Sequence, residues 1–140
     1  MNETKYIKNL EDLNNLCKTS KNYIITVNSD IQFDIDDADM YGHHLHVKGN
    51  IKAVKLSVCN LNAYDINACT INSWGNVKAH NIDLIGCIKA RNLDARNISA
   101  YAISVKEKIK TYKMNAEVSI KAGSFKIGNY KTKHYIINYY

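Results

Sequence analysis

Proline is absent from this chain of 140 residues, and glycine occurs only six times. Disordered segments and flexible linkers are usually rich in these two residues, so the composition argues against both. No run approaches the length of about eighteen apolar residues that a membrane-spanning helix needs. Residues 1–10 also lack the apolar stretch of a secretory signal. We therefore expect one domain that resides in the cytoplasm, without a membrane association.

Residues that form disulfides or bind metals are also sparse. No Cys-x-x-Cys spacing occurs, which favours reduced thiols over a disulfide framework for Cys17, Cys59, Cys69 and Cys87. His44 and His46 point to the same side of an extended chain and are the best candidates for a Zn²⁺ or Ni²⁺ site, but no third ligand is identifiable. We expect no metal and no other cofactor.

Charge is distributed unevenly along the chain. Residues 1–49 hold five lysines and eight acidic side chains, a net charge of −3. Residues 50–140 hold fourteen lysines and arginines and five acidic side chains, a net charge of +9. The body of the chain is therefore basic and its N-terminal part acidic.

A five-residue repeat dominates the sequence from Asn50 to Gly128. Successive units read N-I-K-A-V, K-L-S-V-C, N-L-N-A-Y and D-I-N-A-C, and the pattern holds over fifteen units. The second and fourth residues of each unit lie on the same side of an extended chain, so we expect both to point inward. The other three positions are mostly Asn, Lys, Asp, Arg and Ser. A chain that turns a corner every five residues and stacks its coils explains this pattern, which predicts a solenoid.

Single-residue interruptions bear on the number of units in one coil. An extra residue follows units 5, 7, 11 and 13, at Gly75, Gly86, Glu107 and Val118. With four units per coil, the first and last of these fall at one corner and the middle two at the opposite corner. We therefore predict a four-sided coil of about twenty residues.

The chain resembles the pentapeptide-repeat proteins over about residues 34–133, and most closely the N-I-x-A-x variety of low-GC bacteria and mobile elements. This resemblance implies an all-β fold, a right-handed quadrilateral parallel β-helix. One departure concerns the order of the inward residues: the usual unit places the small residue two before the large one, whereas Ala63 follows Leu61 here.

The residues before the repeat are predicted to cap it. Lys8–Ser20 is predicted to be a short helix with Asn9 as its N-cap, because Ile7, Leu10, Leu13, Leu16 and Cys17 share one helical face. That face would cover the first coil, with a partner-binding helix as the alternative. We predict a cap of helix and strand over residues 1–33, a repeat solenoid over 34–133, and a C-terminal segment over 134–140.

The aromatic C-terminus is too apolar to be left in water. We expect it either to close the last coil or to contact a second copy of the chain in a homodimer. The residues concerned are Tyr130, Tyr135, Ile137, Tyr139 and Tyr140.

Under the four-unit coil, units 4, 8, 12 and 16 share one face that is rich in cations. Like charges on neighbouring coils repel, so such a ladder favours an anionic partner, with a merely lysine-rich surface as the alternative. The residues predicted to bind this partner are Lys89, Arg91, Lys108, Lys110, Tyr112, Lys131 and Lys133.

No arrangement of nucleophile, base or paired carboxylates is recognisable, so the chain is predicted not to be an enzyme. The first functional interpretation is a protein-interaction module, such as a small inhibitor encoded by a phage or mobile element that acts on a nucleic-acid-processing or defence enzyme. The alternatives are weak, sequence-independent nucleic-acid binding and a purely structural role. Some pentapeptide-repeat proteins inhibit topoisomerase by imitating DNA with acidic faces; the basic body excludes that mechanism here.

Overall fold

The computed structural model describes residues 4–18 and 24–132 of the chain. Within them, one short helix and eight strands follow one another as β1 (Thr4–Ile7), α1 (Leu10–Lys18), β2 (Ile24–Val27), β3 (Asp30–Phe33), β4 (Asp37–Val47), β5 (Ile51–Asn62), β6 (Asp65–Ser73), β7 (Asn76–Leu84) and β8 (Cys87–Thr132). β4 to β8 are long because each bends around corners without leaving the sheet.

The strands pair in parallel within one sheet, which winds into a solenoid of about six turns. This confirms the predicted parallel β-solenoid with a short N-terminal helix. The stacking is visible in the pairing of like residues: Ile51 lies beside Ile66, Ile66 beside Ile82, and Ile82 beside Ile98. Each coil thus places its large aliphatic residue directly above that of the coil before.

The predicted four-sided coil of about twenty residues is wrong in the repeat region. The pairings there join residues 15 to 17 positions apart, as in Ile51 with Ile66 and Ile71 with Ile88. One coil therefore contains three five-residue units, with a single added residue in most coils. Three faces result. They are called the first face (Ile51, Ile66, Ile82), the second face (Leu56, Ile71, Ile88) and the third face (Leu61, Val77, Leu93).

The interruptions fit this three-sided coil as well as they fit a four-sided one. Gly75 and Glu107 both follow a unit of the second face, whereas Gly86 and Val118 both follow a unit of the first face. Each pair therefore extends one corner of the triangle. The interruptions show that corners accept an added residue, but they do not discriminate between the two coil shapes.

The predicted inward positions are confirmed. The large residues of the repeat are buried, and so are most of the small ones, including Ala63, Ala68, Ala90 and Ala95, while Ala79 is half-buried. Alternation of a large and a small side chain along each face suits a narrow triangular interior, because protein cores are closely packed. This core continues through the described coils as one hydrophobic cluster.

Helix α1 takes the place of a strand in the first coil. β1 pairs with β3 on the first face and β2 pairs with β4 on the third face, so α1 stands where a second-face strand would lie, in contact with β4 and β1.

The Asp12 amide donates to Asn9 Oδ1 at 2.8 Å, which confirms the predicted N-cap. Leu13 is buried, but Leu10 is exposed and does not belong to the covering face as predicted. Because β1 and β2 join the parallel sheet, the coils begin before residue 34.

Two corners are held by ladders of polar side chains. Between the third and first faces, Asn81 donates its side-chain amide to Asp65 Oδ1 at 2.8 Å and accepts a hydrogen bond from the Asn97 amide at 2.6 Å. Between the second and third faces, Asn92 donates to Asn76 Oδ1 at 2.9 Å. Repeated asparagine is therefore used to satisfy backbone and side-chain groups from coil to coil. At Gly75 an added Cβ would come within 2.8 Å of the Cys59 carbonyl oxygen, so this position has no room for a side chain.

Candidate functional site

The second face carries an open groove of about 840 Å³ toward its C-terminal end. Its lining includes four cations, Lys89, Arg91, Lys106 and Lys121, and no acidic side chain. Hydrophobic repeat positions such as Val105 form its floor. The groove therefore combines an apolar base with a positively charged rim.

Coil geometry explains how the cations tolerate one another. Along the outward centre of the second face, Ser57 lies beside Asn72, and Asn72 beside Lys89. Ser104 and then Lys121 follow in the same groove. The two lysines are thus separated by an uncharged rung and lie roughly 10 Å apart, two coil spacings. At that distance water and salt screen most of their repulsion.

Arg91 and Glu107 form an ion pair at the corner between the second and third faces. Arg91 Nε lies 2.7 Å from Glu107 Oε1, and the Asn92 amide donates to the other carboxylate oxygen at 3.1 Å. These hydrogen bonds, that from Arg91 first, lower the pKa of the Glu107 carboxyl below its ordinary value. Both side chains are exposed, so the pair contributes little to stability. It does orient Arg91 along the rim of the groove.

Trp74 is the aromatic residue of the groove. It lies at the corner between the second and third faces and is 54% exposed. An exposed indole beside cations provides a large contact surface for a partner, because aromatic side chains contribute strongly at binding interfaces. Sequence reasoning missed Trp74, Lys106 and Lys121. Counting in steps of 15 to 17 residues, instead of twenty, would have placed all three on the same face as Lys89.

The structure does not bring the predicted cationic ladder onto one face. Lys89 lies on the second face, Arg91 at its edge, and Lys108 and Lys110 on the third face. The ladder prediction is wrong because units 4, 8 and 12 occupy three different sides of a three-unit coil. Of the remaining predicted residues, the side chain of Lys131 and all of Lys133 lie outside the described part of the chain.

Lys108 and Lys110 line a smaller groove of about 350 Å³ on the third face. Lys110 Nζ lies 3.7 Å from Asp94 Oδ2 on the coil before it. Asp94 also lines this groove, so its positive charge is partly compensated. The second face is therefore the stronger candidate for an anionic partner.

Tyr112 lies on the corner between the third and first faces, far from the groove of the second face. It is 61% exposed and follows Tyr64, His80 and Arg96 at steps of sixteen residues. The rings of Tyr64 and His80 stack with centroids 5.1 Å apart, and Arg96 Nη1 lies 3.3 Å from His80 Nε2. Tyr64, His80 and Arg96 therefore contact one another in a column at this corner, and Tyr112 follows them in register.

The residues predicted to form the C-terminal cap or dimer contact fall outside what can be described. Tyr135, Ile137, Tyr139 and Tyr140 lie beyond residue 132, and Tyr130 is described only as part of β8. The capping and dimer alternatives for this segment both stay predictions.

Metal ligands do not converge in residues 4–18 and 24–132, where no group of three or more His, Cys, Asp or Glu side chains could hold an ion. His44 contacts the Asn60 amide, which makes it part of a corner ladder, and His46 is exposed. The four cysteines are free, and burial raises the pKa of the Cys17 thiol.

No helix within the described ranges is long and apolar enough to cross a membrane. Comparison with protein-family models, with curated proteins and with solved structures finds no match. The functional interpretation is therefore drawn from the geometry of the groove on the second face.

Proposed function

We propose that the chain is a non-catalytic binding module that places the groove of its second face against an acidic surface of a protein partner. The observation that carries the proposal is the groove itself, whose lining holds Lys89, Arg91, Lys106 and Lys121. Glu107, just outside the lining, pairs with Arg91, so the positive charge of the groove rests mainly on the three lysines. Trp74 adds an apolar contact at the same rim. Charged rims set association rate and orientation, while an aromatic anchor supplies binding energy.

The rigid scaffold supports this interpretation. Every cation of the groove is held by a strand of the parallel sheet or by a corner between strands, so little ordering is needed on binding. A partner of the proposed kind is a nucleic-acid-processing or defence enzyme, and the chain would be its inhibitor, encoded by a phage or mobile element. The five-residue unit resembles that of the pentapeptide-repeat proteins, and this resemblance supports the choice by analogy. A purely structural role is the remaining alternative.

Charge reversal in the groove tests the proposal. We expect the double variant Lys89→Glu, Lys121→Glu to lose bound protein in affinity capture from bacterial lysate, because two attractive contacts become repulsive. The matched control is Lys52→Glu, Lys78→Glu, which makes the same change of net charge on the first and third faces. The control should retain the captured protein, and treatment with nuclease should not release it.

Two results would contradict the protein partner. Loss of capture in the control to the same degree would mean that net charge, and not the groove, governs binding. Release by nuclease would show that nucleic acid occupies the groove instead. Circular dichroism of both variants checks that the β-solenoid is intact.

Single-stranded nucleic acid is the second candidate, and Trp74 beside Lys89 and Arg91 favours it. Proteins that bind single strands combine stacking aromatic residues with a basic path for the phosphates. The path here is short, since Lys89 and Lys121 are roughly 10 Å apart, two coil spacings. We expect contact with only about two to four phosphates, because the groove holds no more cations than that, and binding should therefore be weak.

Intrinsic fluorescence measures this second candidate directly, because Trp74 is the only tryptophan of the chain. We expect oligo-dT to quench it at low salt, with a slope of log K against log salt of about −1.5 to −3. Quenching should disappear in Lys89→Glu, Lys121→Glu and persist in the Lys52→Glu, Lys78→Glu control. Tight, length-dependent binding at physiological salt would favour nucleic acid over the protein partner, whereas no quenching at low salt would exclude this candidate.

A further inference from the structure

An apolar strip runs along the corner between the first and second faces. It consists of Val54, Cys69, Ile85 and Tyr101, which are the last residues of four successive first-face units. The register of that face stacks them on neighbouring coils, about 4.8 Å apart. Cys69 is half-buried and the other three are exposed, Ile85 to 83%. They therefore form a continuous apolar edge about 14 Å long, and not a scatter of single exposed side chains.

This apolar strip and the cations of the groove border the same face from opposite sides. From Tyr101 the chain crosses the second face to Ser104 at its outward centre and to Lys106 at its far corner. Five residues of extended chain separate the two borders, roughly 16 Å. Lys89 and Lys121 stand at the outward centre, and neither forms an ion pair with any side chain that the structure describes. The face is therefore apolar along one border and cationic from its centre to the other.

The dimensions of this face fit one α-helix that lies along the solenoid axis. A helix with its side chains is about 10–12 Å wide, which fits between bordering rows of side chains roughly 16 Å apart. Lys89 and Lys121 are separated by two coil spacings, roughly 10 Å, and helix residues i and i+7 lie about 10.5 Å apart on one side. The single coil spacing of about 4.8 Å likewise matches the rise of about 4.5 Å over three helix residues. Acidic residues at i and i+7 would thus reach both lysines.

An extended segment does not match the face in this way. Side chains on one side of a strand recur roughly every 6.6 Å, so a strand along the solenoid axis meets one lysine but not the other. A strand that ran across the face would contact it with only about five residues. The spacing of the coils therefore favours a helix as the occupant.

We propose that the second face binds an amphipathic helix of the partner protein. The apolar side of this helix packs on Ile85 and Tyr101. Its acidic side faces Lys89 and Lys121. This inference rests on the proposed function and names the structure of the acidic surface that the partner presents. From Val54 to Lys121 the face is four coil spacings tall, about 19 Å, so the bound helix contains about thirteen residues. A helix of that length covers less than the roughly 800 Å² per partner of a stable complex, so it binds weakly and with sensitivity to salt.

A designed peptide tests the proposal without the natural partner. The probe is a stapled helix of about fourteen residues, with glutamate at i, i+3, i+7 and i+10 and leucine at i+1, i+4, i+8 and i+11. These positions place the acidic and the apolar residues in two adjacent stripes along one side of the helix. Fluorescence anisotropy of the labelled peptide measures its binding to the full chain. We expect saturable binding at low salt that weakens as salt is added.

Two double variants separate the charged contact from the apolar one. Lys89→Glu with Lys121→Glu makes the centre of the face repel the acidic stripe. Ile85→Ser with Tyr101→Ser removes the apolar border without a change of charge. Each double variant should bind the peptide at least about tenfold more weakly than the natural chain, because both stripes contact the face at once. Circular dichroism checks that each variant keeps the β-solenoid.

Matched controls change the same residue types elsewhere on the solenoid. Lys52→Glu with Lys78→Glu makes the same change of net charge on the first and third faces. Tyr112→Ser removes an aromatic residue that is also exposed, on the corner between the third and first faces. Both controls should bind within about twofold of the natural chain. A peptide of the same composition with its glutamates and leucines intermixed around the helix should bind at least about tenfold more weakly than the probe.

Four outcomes would overturn the proposal. The first three are no saturable binding of the probe at low salt, equal binding of the intermixed peptide, and unchanged binding by either double variant. The fourth is self-association of the chain alone that Ile85→Ser with Tyr101→Ser abolishes, since a second copy would then occupy the strip. If lysate capture still depends on Lys89 and Lys121 while the probe fails, the helix is wrong and the proposed function stands. If the probe binds as expected while capture does not depend on these lysines, the proposed function fails instead.

Discussion

Replacing Ile88 with alanine is expected to lower the free energy of unfolding by about 2–5 kcal/mol. Ile88 is 0% exposed and lies directly above Ile71 on the second face. In a triangular coil a single large residue fills each side, so the coils above and below have few other side chains with which to close the cavity. Urea unfolding followed by circular dichroism measures the effect as a lower midpoint.

Ile85 provides the matched control, three residues earlier in the chain. It is the same residue type at an outward corner position and is 83% exposed. Ile85→Ala should change the free energy of unfolding by less than about 0.5 kcal/mol, as is usual for surface positions. Equal losses from the two substitutions would contradict the assignment of inward and outward positions within the repeat.

The inward positions could be predicted from the sequence because they depend only on local geometry. Residues that are two positions apart in an extended chain lie on the same side of it, whatever the shape of the coil. Leu61 and Ala63 are therefore predicted to point inward for any number of sides, and both are buried. The same holds for the N-cap of α1, which depends on Asn9 and the amide of Asp12 alone.

The number of sides could not be predicted in this way, because it depends on which distant residue lies beside which. Ile51 and Ile66 belong to the same face in the structure. Their sequence neighbours do not identify them as partners, because each follows a polar residue and precedes Lys or Asn. Units that resemble one another so closely pair equally well at several offsets as far as their core residues are concerned. The added residues at Gly75 and Glu107 did not remove this ambiguity.

The polar corners contain the information that distinguishes the offsets. Asn60, Asn76 and Asn92 recur every sixteen residues at the first position of third-face units, and Asp65, Asn81 and Asn97 recur similarly on the first face. Side-chain ladders of this kind need like residues on successive coils. The wrong coil length also gives the wrong grouping of surface residues. An offset of twenty groups Lys89 with Lys110, whereas the structure places it in one groove with Trp74, Lys106 and Lys121.

Removal of one member of such a ladder is expected to cost about 1–3 kcal/mol of stability. Asn81 is the best choice, because its side-chain amide donates to Asp65 Oδ1 at 2.8 Å and its carbonyl oxygen accepts from Asn97 at 2.6 Å. In Asn81→Ala both neighbours lose a partner at a half-buried corner where water enters incompletely. The Asn81 backbone amide keeps its own hydrogen bond to Asp65 at 3.1 Å, so the fold itself should persist.

Asn67 separates this effect from the intrinsic cost of removing asparagine from a strand. It lies on the same face one coil earlier, at the outward centre, where its side chain is exposed. Asn67→Ala should change the free energy of unfolding by less than about 0.5 kcal/mol in the same urea titration. If Asn81→Ala proved as mild as this control, the corner ladders would not stabilise the coil, and the register would depend on core packing alone. Because the core residues are nearly interchangeable between units, we expect the opposite: the ladders select the three-unit coil, and the loss at Asn81 exceeds that at Asn67 by at least about 1 kcal/mol.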